Sequence, residues 1–240
     1  MSFRNGLAMD IKFLGTWWYK DLHCGNSSAL VTCWWKKILI DTWAWTFAKM
    51  MWKELVEEVD YFALTHLHGD HMANMFHFMA YLGIKWWLKL LYINEEHKKY
   101  LAWFFKYRWL WEVDTFVKRT HIDEVEGIDS IDTYWKHVEW MPSYWFYFTE
   151  GEYWLYYSWD LWDIDVSIRY LKGVSQKKDN IKVFHEVRLW SPVSVHCHYS
   201  ELQEKLKDYE MYCYHCDHTD VPADCVLKFV ADYPEFMLVK

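Results

Sequence analysis

The stretch Leu64-Thr65-His66-Leu67-His68-Gly69-Asp70-His71 places three imidazoles and a carboxylate within six residues. The apolar run Tyr61-Phe62-Ala63-Leu64 leads into these side chains and is typical of a buried strand. Imidazole nitrogen and carboxylate oxygen are the donors of hydrolytic zinc sites, whereas thiolate, which favours closed structural sites, is absent from the stretch. Packing alone has no use for four such side chains together. The stretch therefore predicts a metal site at a strand end.

The spacing within this stretch predicts two ions. His66 and His68 are two residues apart, so on an extended backbone they share one face. Gly69 lets the chain turn, which would direct Asp70 and His71 toward a second point. Two pairs of ligands suggest two zinc ions.

The length and composition bound the architecture. A chain of 240 residues, 53% of them hydrophobic, is long enough for one globular domain with a large core. Residues 1–8 lack the apolar segment of a secretion signal, so we interpret them as a leader or an expression remnant before a single domain at 9–240. No apolar run approaches the length of a membrane span, so we expect a soluble protein without a membrane partner.

The charge balance limits the classes of substrate that the chain could bind. The chain has 26 Lys and Arg against 34 Asp and Glu, a net charge of −8. Binding long nucleic acid needs a basic surface, so we expect no such partner. Two zinc ions would add enough local positive charge to hold a small phosphate ester. The six cysteines have no disulfide-framework spacing, which predicts reduced thiols and a cytoplasmic location.

Further segments, in order along nearly the whole chain from Met9, carry a resemblance to the metallo-β-lactamase-fold hydrolases. The sequence is most similar to the phosphodiesterase branch that includes ribonuclease Z and the phage anti-Pycsar enzymes. This resemblance implies an α/β fold, an αββα sandwich of two mixed sheets flanked by helices, with the metals at one edge. The segments that carry it, besides the histidine stretch, are Phe13-Leu14-Gly15-Thr16, Gly25-Asn26-Ser27-Ser28, Ile38-Leu39-Ile40-Asp41-Thr42, His137-Val138-Glu139, Tyr157-Ser158-Trp159-Asp160, Phe184-His185-Glu186 and Tyr214-His215-Cys216-Asp217.

The resemblance also implies a set of site residues. Asp160 would bridge two Zn²⁺ ions, with Mn²⁺ as another possible metal, and Asp163 and Asp165 compete for that role. Asp41 is either a support behind the ligands or a simple turn carboxylate. The implied metal ligands are His66, His68 and His137 for one ion, and Asp70, His71 and His215, with His218 as the alternative to His215, for the other.

The implied reaction is phosphodiester hydrolysis by a hydroxide bridging the two zincs. Asp70 would orient the hydroxide, and Glu186 and His196 resemble a Glu and His pair that serves the leaving group. The expected substrates are cyclic AMP, GMP, CMP and UMP, cleaved by a homodimer that counters antiphage signalling in the host cytoplasm, if the chain is phage-encoded. A tRNA-processing enzyme like ribonuclease Z is the alternative, and a nucleotide-sequestering or catalytically disabled variant is a third.

Tryptophan is abnormally frequent, with 19 Trp against 8 Gly. Glycine in turns usually serves a positive φ or a close backbone approach, which a bulky residue resists. The sequence therefore predicts a changed backbone or local strain wherever tryptophan replaces a glycine of the family pattern. These positions are Trp17, Trp18, Trp43, Trp145 and Trp159.

Apolar periodicity predicts the elements around the site. We expect an opening β-meander with a turn at Lys36-Lys37, and a capping box at the start of a helix from Ser200. Helices are predicted over 46–59, 72–82 and 95–111, and the second would place Asp70 and His71 at its start.

Overall fold

The computed structural model describes residues 9–16, 27–85, 88–107, 117–133, 141–160, 163–174, 180–190, 196–216 and 220–238. His137 and His218, two of the expected or alternative metal ligands, lie outside these ranges, as do Trp17 and Trp18.

The first sheet contains six strands in chain order. They are β1 (Asp10–Gly15), β2 (Ser28–Cys33), β3 (Lys36–Ile40), β4 (Tyr61–Ala63), β5 (Leu88–Tyr92) and β6 (Val117–His121). The first three strands pair antiparallel, as the predicted meander requires, and β3 to β6 pair parallel.

The second sheet repeats this pairing scheme. Its strands are β7 (Ile128–Asp132), β8 (Tyr144–Glu150), β9 (Tyr153–Tyr157), β10 (Ile181–Glu186), β11 (Glu210–Tyr214) and β12 (Lys228–Phe229). The hairpin strands β7, β8 and β9 pair antiparallel, and β9 to β12 pair parallel. Both sheets are therefore mixed.

The helices of the described residues are α1 (Thr46–Trp52), α2 (Met75–Lys85), α3 (Glu95–Tyr107), α4 (Asp165–Gly173) and α5 (Tyr199–Lys205). Short 3₁₀ turns at Val56–Glu58, Ile122–Glu124, Val230–Asp232 and Pro234–Phe236 complete the set. Within the described ranges, none of the helices combines the length and the apolar character needed to cross a membrane.

The hydrophobic core has two layers, one on each face of the first sheet. On β3, Ile38 and Ile40 join the larger cluster with residues of the second sheet, such as Phe146. Leu39, between them, points the other way into a cluster with Phe78 of α2. Side chains of a strand alternate between faces, so an unbroken apolar run indicates burial on both sides. The predicted α/β sandwich of two mixed sheets flanked by helices is confirmed.

The predicted helix over 46–59 is wrong in length, because α1 stops at Trp52. Glu54 has a left-handed backbone with φ of 58°. The amide of Leu55 donates to the carbonyl of Met50, and that of Glu54 to the carbonyl of Met51. This pair of bonds is a Schellman motif, which ends a helix although the apolar spacing continues.

Three further boundaries differ from the predictions. The turn between β2 and β3 is at Trp34-Trp35, both with positive φ, so Lys36 belongs to a strand. Helix α2 begins at Met75, so Asp70 and His71 lie in the preceding turns. Helix α5 begins at Tyr199 after an N-cap residue with no side-chain capping bond, so the predicted capping box is absent there.

Candidate metal centre

Strand ends from both sheets meet at one edge of the sandwich and carry the candidate site residues. The carboxyl ends of parallel strands are where α/β proteins commonly gather ligands. The loop after β4 carries the histidine stretch, and the other contributors are Asp41 after β3, Asp160 after β9, Glu186 at the end of β10 and His215 after β11.

Asp160 lies at the centre of this group and is only 6% exposed. Its Oδ2 lies 3.6 Å from His66 Nε2 and 3.5 Å from His71 Nε2. Its Oδ1 lies 3.4 Å from His215 Nε2 and 3.5 Å from His196 Nδ1. Burial alone would raise the pKa of this carboxyl, but His196 and His215 outweigh burial and hold it well below its usual range. Asp160 is therefore an anion with imidazoles on two sides.

Asp163 and Asp165, the competitors for the bridging role, lie away from this centre. Asp163 accepts a hydrogen bond from the amide of Asp165, which begins α4. The Asp165 carboxylate forms an ion pair with Lys205 at 3.3 Å. Among these three carboxylates, the structure brings only Asp160 to the histidines.

The donors around Asp160 fit a divalent metal such as zinc. His66, His68 and Asp160 offer ligand atoms that lie within 4.8 Å of one another, and so do Asp160, His196 and His215. His66 Nε2 and His68 Nδ1 are 2.9 Å apart. Burial lowers the pKa of His68, which favours the neutral imidazole that a metal requires. Nitrogen and oxygen donors without thiolate are the set that open zinc sites use.

His71 is held at both of its ring nitrogens. Its Nδ1 lies 3.0 Å from Asp41 Oδ2, and its Nε2 accepts the indole N–H of Trp159 at 2.8 Å. Burial lowers the pKa of His71, but the carboxylates of Asp41 and Asp160 raise it by more, to about 10. That pKa by itself would protonate both ring nitrogens, but a proton on Nε2 would point at the indole N–H of Trp159. The 2.8 Å contact requires a lone pair on Nε2, so the geometry assigns the neutral ring with its proton on Nδ1.

Asp41 lies behind His71 rather than among the convergent donors. Its carboxylate accepts hydrogen bonds from the Thr65 amide at 2.9 Å and the Thr65 hydroxyl at 2.8 Å, as well as facing His71. The residue is fully buried, and burial raises the pKa of its carboxyl. Of the two roles open for Asp41, these contacts match a support that orients the loop.

Asp70 lies at the edge of the group. Its side chain is 42% exposed, and its nearest recorded approach to an imidazole is 3.8 Å, from Oδ2 to His71 Nε2. A third group of convergent donors in the described part of the chain is His185, Glu186 and Cys197, and none of the three groups includes Asp70 or His71. The second ion site, expected from Asp70, His71 and His215, is therefore brought together only in part.

Glu186 and His196 form the expected pair. His196 Nδ1 lies 2.9 Å from Glu186 Oε2, while Glu186 Oε1 accepts the amide of Cys197 at 3.0 Å. Burial lowers the pKa of His196, but Glu186 and Asp160 outweigh burial and raise it to about 9. His196 also lines a cavity of about 120 Å³ beside the centre. At neutral pH this imidazole is therefore a protonated group at the cavity wall.

Strain at the site falls on polar residues, not on the tryptophans. Asp41, Asp160 and His215 have φ values of 56°, 26° and 66°. Non-glycine residues rarely adopt such angles, and they concentrate at functional sites. The tryptophans at 43, 145 and 159 are buried, and none is among the positive-φ residues of the described chain. At these three positions the expected left-handed strain is absent.

Several residues that shape the site were not predicted from the sequence. The contact of Trp159 with His71 is one such feature, and the adjacency of Trp159 to Asp160 was the available signal. Arg188 and Trp190, which line the cavity with His196, were not predicted either. These two residues follow Glu186 closely in the sequence, and that proximity was the available signal.

The architecture is similar to that of several known proteins. The family model of the metallo-beta-lactamase superfamily matches residues 36–200. The metallo-beta-lactamase fold protein YhfI from Bacillus subtilis is 16% identical, with a TM-score of 0.69 and 89% of each chain covered. The short form of human tRNase Z is 15% identical, with a TM-score of 0.64, over 88% of this chain and 93% of that one.

A diphosphatase from the PhnP family is 19% identical, with a TM-score of 0.61, over 90% of this chain and 93% of that one. These structures share the fold. No curated protein matches the sequence. The family model covers more than half of the chain, and together with the two mixed sheets and the histidine-rich edge it shows that the chain belongs to the metallo-β-lactamase superfamily.

Proposed function

We propose that this metallo-β-lactamase-fold hydrolase is a phosphodiesterase that opens cyclic mononucleotides to linear monophosphates. The observation that carries the proposal is the Glu186–His196 pair beside Asp160, at 2.9 Å and 3.5 Å. Cleaving a phosphodiester releases an alkoxide, which needs a proton. A protonated imidazole beyond the metal ligands can supply it.

Different residues of the chain would bind the metal, orient the water and protonate the leaving group. His66, His68 and Asp160 would hold zinc, with His215 on the other side of Asp160. When bound, zinc lowers the pKa of the attacking water and neutralises charge on the phosphoryl oxygens. Asp70, half exposed at the edge, would orient that water.

His196 would act on the leaving group. Glu186 accepts from Nδ1 and fixes the ring, so the Nε2 proton is the one that the departing sugar oxygen would take. The water oxygen forms the new bond to phosphorus, the bond from phosphorus to one sugar oxygen breaks, and the product is a linear monophosphate.

The substrate class rests on size and charge. The cavity of about 120 Å³ is smaller than an ordinary ligand pocket of roughly 300–1,000 Å³, so it suits the phosphate end of a small ester. Arg188 lines it and offers a positive charge, and Trp190, half exposed at its wall, offers a face on which a base can stack. A net charge of −8 disfavours long RNA.

The test is incubation of the zinc-loaded protein with each of the four cyclic nucleotides, followed by chromatography for linear monophosphates. Precursor tRNA is run in parallel, because a tRNase Z and a diphosphatase share the fold. Metal-dependent release of monophosphates supports the proposal. Cleavage of tRNA alone, or nucleotide binding without cleavage, would sink it in favour of the alternatives.

We also propose that the protein is a homodimer. Large apolar side chains are exposed on the described surface, among them Trp35 at 77% and Trp52 at 85%. Exposed aromatic surface is a common feature of interfaces. Light scattering after gel filtration tests this, and a mass equal to that of one chain would contradict it.

A further inference from the structure

The indole of Trp159 occupies the one atom of His71 that could bind a metal. A neutral imidazole has a single nitrogen lone pair, and His71 Nδ1 faces Asp41 at 3.0 Å. The remaining lone pair, on Nε2, accepts the Trp159 N–H at 2.8 Å. A zinc ion would have to approach this nitrogen to about 2.0–2.1 Å along the same direction. The indole and an ion cannot share that lone pair.

The indole is also held in place from several sides. Trp159 is 2% exposed, and its carbonyl accepts the indole N–H of Trp145 at 2.5 Å. Its ring packs against those of Tyr214 and His215, with centroid distances of 5.2 Å and 4.6 Å. A side chain packed in this way does not swing aside without disturbing its neighbours.

We propose that Trp159 withdraws His71 from metal binding, so that the chain holds zinc through His66, His68 and Asp160 without a contribution from His71. His71 instead serves as a structural link between Asp41 and Trp159. Removing the indole N–H while keeping an aromatic ring would return Nε2 to the metal centre. We base this inference on the metal-dependent part of the proposed function alone, not on the identity of the ester.

The expected size of the effect follows from the hydrogen bond. For an ion to bind His71, the buried indole N–H would have to lose its partner, which costs a factor of about 10 to 100 in affinity. The Trp159→Phe variant avoids this cost. We therefore expect that variant to bind a second zinc ion about 10- to 100-fold more tightly than the unaltered chain.

Trp43 provides a matched control. Its ring lies 5.0 Å from that of His71, and it is 1% exposed, much like Trp159. In the described part of the chain its indole N–H has no hydrogen-bond partner. Trp43→Phe therefore removes the same atoms beside the same histidine without releasing Nε2.

The experiment is titration of metal-free protein with zinc against a chromophoric chelator, with bound zinc counted by elemental analysis. We expect Trp159→Phe to gain the tighter second ion, and Trp43→Phe to match the unaltered chain. The gain should disappear when His71→Asn is added to Trp159→Phe, because the asparagine amide can still face Asp41 but lacks Nε2. Circular dichroism checks that each variant is folded.

Two results would overturn the proposal. One is identical zinc binding by folded Trp159→Phe and the unaltered chain. The other is loss of tightly bound zinc when His71→Asn is introduced alone. This second measurement does not need the Trp159 variant, so it tests the proposal even if that variant fails to fold. Neither readout involves a nucleotide, so failure here leaves the substrate proposal to be judged by its own assay.

Discussion

His66 and His71 come from one loop, both are almost fully buried and both face Asp160, yet their Nε2 atoms have different hydrogen-bond partners. Their rings lie 3.8 Å apart, and each Nε2 is about equally far from Asp160 Oδ2, at 3.6 Å and 3.5 Å. The Nε2 of His66 meets a second potential ligand, His68, whereas that of His71 meets an indole N–H. Two histidines equally close to the Asp160 carboxylate can therefore differ in whether a nitrogen is available to a metal.

The largest effect on hydrolysis is expected from substitution of His66. His66→Ala removes a donor from the only convergent set in the described residues that includes His68. Metal contributes several kcal/mol to transition-state stabilisation, so hydrolysis should fall about a thousandfold or more. Turnover and zinc content measured together test this. His77→Ala, an exposed histidine of α2, is the matched control and should retain both.

The next effect is expected at His196. His196→Ala should lower turnover about a hundredfold or more, because proton transfer typically contributes that much, while zinc content is retained. Only the protonated imidazole can act as the acid, and Glu186 raises the pKa of His196, so activity should fall as the pH rises into the alkaline range. Glu186→Gln should move that descending limb to lower pH. Loss of zinc from His196→Ala would make His196 a ligand, as its approach to Asp160 also allows.

A smaller effect is expected in the pH dependence of stability of the metal-free protein. The pKa of His196 is about 9 in the folded chain and about 6.5 in an unfolded one. Its folded pKa is raised, so the contribution is complete below pH 6.5 and is lost as the pH rises through 9. It is worth at most about 3 kcal/mol. Denaturant titrations at pH 6 and pH 10 should differ less for His196→Gln than for the unaltered chain. An unchanged difference would contradict the pairing.

The smallest effect is expected from Asp41→Asn, which tests whether Asp41 and His71 stabilise the fold without binding a metal. Asp41→Asn disturbs buried hydrogen bonds to Thr65 and His71, so the free energy of unfolding should fall by about 1–3 kcal/mol. Zinc content should stay the same, because His71 is not a ligand. Asp165→Asn, which loses an exposed ion pair to Lys205, should cost about 1 kcal/mol or less. Zinc loss from Asp41→Asn would mean that Asp41 acts through the metal.

Much of the fold and the position of the site could be predicted from the sequence. The apolar run before His66 located the strand end that carries His66 and His68, whereas Asp160, Glu186 and His215 were predicted from the resemblance to the metallo-β-lactamase-fold hydrolases. The boundaries at Glu54 and Trp34-Trp35 could not, because left-handed backbone at a non-glycine residue leaves no periodic signal.

The state of His71 could not be predicted either. It depends on a side-chain contact with a tryptophan 88 residues away, and on packing that holds the indole there. A motif specifies which donors lie in a loop, but not which of their lone pairs a neighbour already uses. His137, predicted as a ligand beside His66 and His68, remains a prediction because it lies outside the described residues.

The most direct test of the difference between His66 and His71 is the zinc content of two single variants, His66→Asn and His71→Asn, after dialysis against metal-free buffer. The same substitution is made at two buried histidines of one loop. We expect His66→Asn to lose the tightly bound zinc and His71→Asn to retain it. Loss of zinc from both variants, or from His71→Asn alone, would contradict it.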